Sequence, residues 1–123
     1  MNATGFPSPA RDYEKSRIDF NRMLRPFPAS EFEFYVHGNA LESNHILDKD
    51  MVIVDRRKSA YDGCMAVICR DGEFICRQLT FNREKKCYTY DYSGRTEIAM
   101  ELFGIVTYQI RNVINGGFSD SAC

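Results

Sequence analysis

The Asp71-Gly72 step constrains this chain more than any other pair of residues in it. Strand-like runs flank it at residues 64–70 and 73–79. The two turn residues of a tight hairpin must both tolerate positive φ, and Asp followed by Gly does so readily. A β-hairpin is therefore expected here. The same two-residue period recurs upstream, where Phe32, Phe34 and Val36 alternate with Glu31, Glu33 and Tyr35, which predicts a strand with one apolar side. Residues 51–54 form a compact β-branched run. Residues 86–92 follow a charged turn at 82–85, and residues 102–113 close the series, with Gly104 inside them predicting a bend or bulge. One segment has a different period: Phe20, Met23, Leu24 and Phe27 follow i, i+3, i+4, i+7. That spacing predicts one short helix from Asp19, ended by Pro26 and Pro28, with an irregular apolar loop as the alternative.

The ends of the chain read differently. Pro7 and Pro9 each remove a backbone donor, so residues 1–12 are expected to form an extended leader, and the small polar residues 115–123 a flexible tail. One domain at 13–114 remains. At 123 residues, 44% hydrophobic and 27% charged, the chain can bury one core and is too short for two. There is no internal repeat or linker. A net charge of −1 gives no overall basic field to attract a phosphate backbone, which disfavours a stand-alone nucleic-acid binder and leaves local patches open, so no direct nucleic-acid contact is required. Five cysteines without a C-x-x-C pair or clustered histidines argue against a zinc site and a disulfide framework; no metal and no cofactor is expected. Free thiols, with no export signal and no apolar stretch of membrane-spanning length, point to the cytoplasm. Cys64, Cys69 and Cys76 are read as small buried hydrophobes, and His37 and His45 as surface loop residues. Tyr88, Tyr90 and Tyr92 share one strand face, where cross-strand packing is a commoner use than base stacking. The run Arg56-Arg57-Lys58 is read as a solvated turn.

Several blocks carry a family resemblance. They are G-F-P-S-P-A-R-D-Y at 5–13, R-I-D-F-N at 17–21, F-Y-V-H-G-N-A-L at 34–41, I-L-D-K-D-M-V-I-V-D at 46–55, D-G-E-F-I-C-R-Q-L at 71–79 and E-L-F-G-I-V at 101–106. In order and near-constant spacing over about nine tenths of the chain, they resemble the UmuD/LexA-like serine-lysine autoproteases, most closely the processed UmuD′ form. Only residues 87–99 look shortened. The resemblance implies a mainly β fold of the β-clip type, with one short helix near the N-terminus, and a homodimer. It also implies self-cleavage by a serine and a neutral lysine, before a glycine of an N-terminal arm, promoted by RecA filaments.

The sequence departs from that pattern at both reactive positions. Ala40 stands in the serine's place in H-G-N-A-L and has no atom that can attack a carbonyl. Arg77 stands in the lysine's place in F-I-C-R-Q-L, and a guanidinium stays protonated and cannot act as a base. By the same resemblance the vestigial cleavage position is Thr4-Gly5, with only residues 1–4 before it, so the chain is expected to begin near where UmuD′ begins. Alternation places Arg77 with Ile75 and Leu79 on an apolar face, where a permanent charge needs an explanation. Either the face lies open and Arg77 snorkels to water, or the arginine reaches an acidic partner such as Glu42 or Glu73. Ser43 and Cys76 are the remaining nucleophiles nearby, but Cys76 is expected to point away from Arg77, and no Asp or Asn is placed to orient either histidine.

The implied function is that of a non-catalytic, UmuD′-like homodimeric subunit of an error-prone translesion polymerase in the SOS response. Its partners would be a UmuC-like Y-family polymerase and, through it, the RecA filament and the replication clamp. The alternatives are a heterodimerising decoy of an active UmuD or LexA-like paralogue, and a residual serine-type self-cleaving peptidase. Family dimers pair through the hairpin edge and the C-terminal strand, which makes Phe74, Ile105, Val106 and Ile110 the interface candidates, with plain core as the alternative for each.

Overall fold

The computed structural model describes residues 19–114. The leader, Thr4-Gly5, the tail and Cys123 lie outside the described residues. The described residues form helix α1 (Phe20–Leu24) and eight strands: β1 (Glu31–Tyr35), β2 (Met51–Asp55), β3 (Met65–Arg70), β4 (Glu73–Gln78), β5 (Thr80–Asn82), β6 (Cys87–Tyr92), β7 (Arg95–Ile98) and β8 (Leu102–Ile110). They make a five-stranded sheet in the order β1-β2-β8-β3-β4 and a three-stranded sheet in the order β5-β6-β7, with antiparallel pairing throughout. The mainly β expectation holds.

The hairpin forms as the dipeptide dictates. Arg70 faces Glu73 across the turn, with Asp71 at φ 50° and Gly72 at φ 80°, both in the left-handed region that this turn requires. The helix stops at Leu24 because Arg25 precedes Pro26, and a residue before proline is driven out of the α region. Phe27 therefore lies beyond the helix, its ring 3.8 Å from the Arg57 guanidinium.

The larger sheet is curled. In a flat five-stranded sheet the outer strands would lie about 19 Å apart at ordinary spacing, yet the rings of Phe34 on β1 and Phe74 on β4 are 5.3 Å apart. Two register shifts in β8 supply the bend. Val54 pairs with Val106 but Ile53 with Tyr108, and Val67 pairs with Gly104 but Ile68 with Leu102, leaving Thr107 and Phe103 as the extra residues. Gly104 sits between these bulges and serves the close approach of strands: a Cβ there would meet Val54 Cγ1 at 2.6 Å and the Asp55 carbonyl oxygen at 3.0 Å.

Two cores result. Phe34, Val36, Val52, Val54, Val67 and Cys76 fill the inside of the curl, and Leu41 and Ile46 from the loop after β1 complete it. The outer face of β3, β4 and β8 is covered by the small sheet, which packs Tyr88, Tyr90 and Tyr92 against Ile68, Ile75, Leu79 and Ile105. The tyrosine stripe is thus packing, as expected. Burial of a Leu79-sized side chain contributes about 1.5–3 kcal/mol.

Other expectations need correction. β5 and β7 were not foreseen: one has three residues, and the other is a polar edge strand. β8 ends at Ile110 and not at Val113, which is 89% exposed, because Arg111 turns its side chain to Asp50. Arg56 and Arg57 are exposed but not simply solvated. Arg56 Nε donates to the Phe103 carbonyl at 3.1 Å, and Arg57 binds Asp55 through Nη2 at 2.9 Å. Cys64 and Cys76 are buried, whereas Cys69 is only partly so; these three and Cys87 are free thiols. The charges on β1 are not all outward either. Glu31 is buried, its carboxylate accepting the Phe27 N–H at 2.6 Å.

Candidate functional site

The loop after β1 is built to hold its shape. Val36 and Asp50 close its base, with the Val36 N–H donating to the Asp50 carbonyl and the Lys49 N–H to the Val36 carbonyl, each at 2.8 Å. Gly38 takes φ 82° and donates its N–H to Asp48 Oδ1 at 2.7 Å; a left-handed residue there favours glycine. Leu41 and Ile46 anchor the loop in the inner core, and between Gly38 and Leu41 stands Ala40, exposed.

Asp50 ties this loop to β8. Its carboxylate is fully buried and accepts the Leu47 N–H (2.9 Å), Gln109 Nε2 (2.8 Å), Arg111 Nε (2.9 Å) and Arg111 Nη2 (2.9 Å). Burial alone would raise its pKa, but these hydrogen bonds and the arginine charge outweigh it and hold the carboxyl below its ordinary value. Gln109 and Arg111 also donate to the His45 carbonyl, at 2.6 and 3.0 Å.

Arg77 forms the opposite wall. It lies on β4 opposite Ala66, on the face that meets the small sheet, while Cys76 points into the inner core as expected. Asn44 Nδ2 donates to Gln78 Oε1 at 3.1 Å and so links the loop to β4. Together with Thr80, Thr89 and Asp91 of the small sheet, Ala40 and Arg77 line one cleft of about 380 Å³. Two residues 37 positions apart thereby line one cleft.

Arg77 lies half-buried on the edge strand β4, and it lacks the acidic partner that one reading of the sequence gave it. Neither Glu42 nor Glu73 pairs with it; Glu73 lies four residues back along the strand, about 13 Å away. Instead Arg77 Nη1 donates to the Cys76 carbonyl at 2.8 Å, and the guanidinium carbon lies 5.3 Å from the centre of the Tyr92 ring. The Arg70 guanidinium also contacts that ring, at 3.8 Å, and Glu97 neutralises it through bonds of 2.9 and 3.0 Å. Arg70 holds Glu97 below the ordinary carboxyl range. Burial, together with the hydrogen bond from Tyr90 to Glu97 (3.1 Å), raises the Tyr90 pKa.

Chemically, the cleft offers hydroxyl and amide groups and a fixed cation. Ser43 also lines it, but His37 and His45 are exposed on the loop and neither lines it. A guanidinium donates and does not accept protons. The Asn44–Gln78 bridge and the contact of Tyr92 with Arg77 were not legible in the sequence. The tyrosine alternation marks a face, but nothing local says which arginine meets it.

Of the four interface candidates, Ile105 is core, 3% exposed. Phe74 is 39% exposed, at the edge of an aromatic cluster with Phe34 and Phe103. Val106 is half-buried against the inner core. Ile110 lines an apolar groove with Met23, Leu24 and Ile53. Among the described residues no group of His, Cys, Asp or Glu is placed to hold a metal ion, and no helix is long and apolar enough to cross a membrane.

The model of the family described as Peptidase S24-like matches residues 1–89. Protein MucA of Salmonella typhimurium is 29% identical over 115 residues, covering 88% of this chain and 78% of MucA. Protein SamA of Salmonella typhimurium strain LT2 is 27% identical over 105 residues, 84% of this chain and 75% of SamA. Protein ImpA of Shigella flexneri is 32% identical over 75 residues, 61% of this chain and 52% of ImpA. With a curled antiparallel β fold, a cleft shared by residues 40 and 77, and a family match over most of its length, the chain belongs to the Peptidase S24-like family as a UmuD/LexA-like protein.

Proposed function

We propose that this chain is a non-catalytic UmuD-like subunit acting in SOS mutagenesis after DNA damage. In this reading it is a homodimer that binds a UmuC-like Y-family polymerase and, through it, the RecA filament and the replication clamp. Likeness to MucA, ImpA and SamA supports the UmuD-like role. The observation that carries the non-catalytic part is the composition of one cleft: the positions that the resemblance assigns to nucleophile and base meet there, and they hold a methyl group and a guanidinium. Ala40 supplies no attacking atom, and Arg77 supplies no proton acceptor at accessible pH.

Two measurements test the two halves. Incubation with RecA, nucleotide and single-stranded DNA, followed by intact mass determination, should return an unchanged mass; a cleaved species removes the non-catalytic reading. Co-expression with the cognate UmuC-like polymerase should give a co-purifying complex and damage-induced mutagenesis. Loss of both would remove the subunit role.

A further inference from the structure

We infer that the cleft between Ala40 and Arg77 is a binding site for a peptide carboxylate, with Arg77 as the residue that recognises it. The inference deepens the non-catalytic reading of the same cleft and rests on it. Three arginines are half-buried among the described residues: Arg25, Arg70 and Arg77. Two of them have carboxylate partners, Arg25 with Glu33 at 3.7 Å and Arg70 with Glu97 at 2.9 Å. Among the described residues no carboxylate lies within ion-pair distance of Arg77. Its Nη1 donates to the Cys76 carbonyl and its guanidinium carbon lies 5.3 Å from the Tyr92 ring centre, which uses one of five donors and leaves the rest of the fork for a ligand.

Both contacts also fix the orientation of the fork. A planar, permanently charged donor held in place is matched to the two oxygens of a carboxylate, which it can bind through paired hydrogen bonds. The space for the ligand exists: Ala40 contributes only a methyl group to the lining of a cleft of about 380 Å³. Ser43 and Thr80 add hydroxyl groups suited to the peptide units behind the acid, while the Gln78 amide is held by Asn44 and the Gly63 carbonyl. Asp91, the carboxylate of the lining, accepts the Thr96 hydroxyl at 3.0 Å and keeps its negative charge. It makes the cleft dipolar, with its positive pole at Arg77.

A chain end and an acidic side chain present the same chemistry, and three probes separate them: acetyl-Ala-Ala-Ala with a free C-terminus, its C-terminal amide, and acetyl-Ala-Asp-Ala-amide. Each is titrated into the ¹⁵N-labelled full chain, following Arg77 Nε–H and the Thr80 and Gly94 amides. At least one acid should bind about tenfold or more tightly than the neutral amide, as expected for charge-assisted hydrogen bonds. The stronger acid identifies the source. Arg77→Gln should abolish that preference, and Arg77→Lys should keep a weaker one, with spectral dispersion reporting that each variant is folded. Equal binding of acid and amide, no shift with either acid, or a preference that survives Arg77→Gln overturns the inference. None of these outcomes bears on the mass or co-purification tests, and self-cleavage seen by mass would sink the functional reading by itself.

Discussion

Replacing Asp50 with Asn should destabilise the fold in a manner that depends on pH. The carboxylate is 0% exposed and accepts four hydrogen bonds from Leu47, Gln109 and Arg111. Asn with its oxygen in the Oδ2 place keeps an acceptor for the Leu47 N–H, Gln109 Nε2 and Arg111 Nη2, but removes the negative charge and turns its own N–H donors toward Arg111 Nε. Hydrogen bonds to a charged group contribute about 1.5–3 kcal/mol each. The released guanidinium rehydrates, since Arg111 is partly exposed, so the net loss is set at about 2 kcal/mol. In urea this moves the midpoint by about 1–2 M. The folded-state pKa of Asp50 is depressed, so its contribution is present in full above the unfolded carboxyl pKa and is lost as pH falls through the folded value. The gap between wild type and Asp50→Asn should therefore be widest near neutrality and narrow below about pH 4. Equilibrium denaturation at a series of pH values measures this. A neutral effect at pH 7, or a gap independent of pH, would refute the claim that Asp50 holds the loop as a charged acceptor.

Gly104→Ala should cost about 1–3 kcal/mol in the same assay, because its Cβ meets Val54 Cγ1 and the Asp55 backbone, which cannot move aside; an unchanged midpoint would remove the close-approach account. Arg77→Met should change stability by less than about 1 kcal/mol, since no ion pair is broken and the stem keeps its packing; a large loss by denaturation would show that Arg77 is a structural residue. Tyr90 should ionise above the ordinary tyrosine range in an absorbance titration, and Glu97→Gln should bring it partway back by removing a neighbouring anion. An unmoved titration in that variant would leave burial as the sole cause.

What could be read locally was read correctly from the chain. The Asp71-Gly72 turn, the existence of β1, the start of α1 and its termination by proline all depend on φ preferences and on periods within a few residues, whereas the buried Glu31 and exposed Phe32 of β1 do not. The substitutions at 40 and 77 needed no coordinates to be seen, since their chemistry is that of the side chains themselves. Only the tertiary structure decided the rest. The curl depends on bulges defined by three strands at once, and β5 and β7 exist because they cover an outer face that their own polar residues do not announce. The partners of Arg77 became Cys76 O and Tyr92, not Glu42 or Glu73, because an extended strand separates Glu73 from Arg77 while folding brings Tyr92 to it across 15 positions. The burial of Asp50 follows the same logic: its partners Gln109 and Arg111 lie about sixty positions away, and a charge is tolerated inside a protein only where such distant donors converge on it.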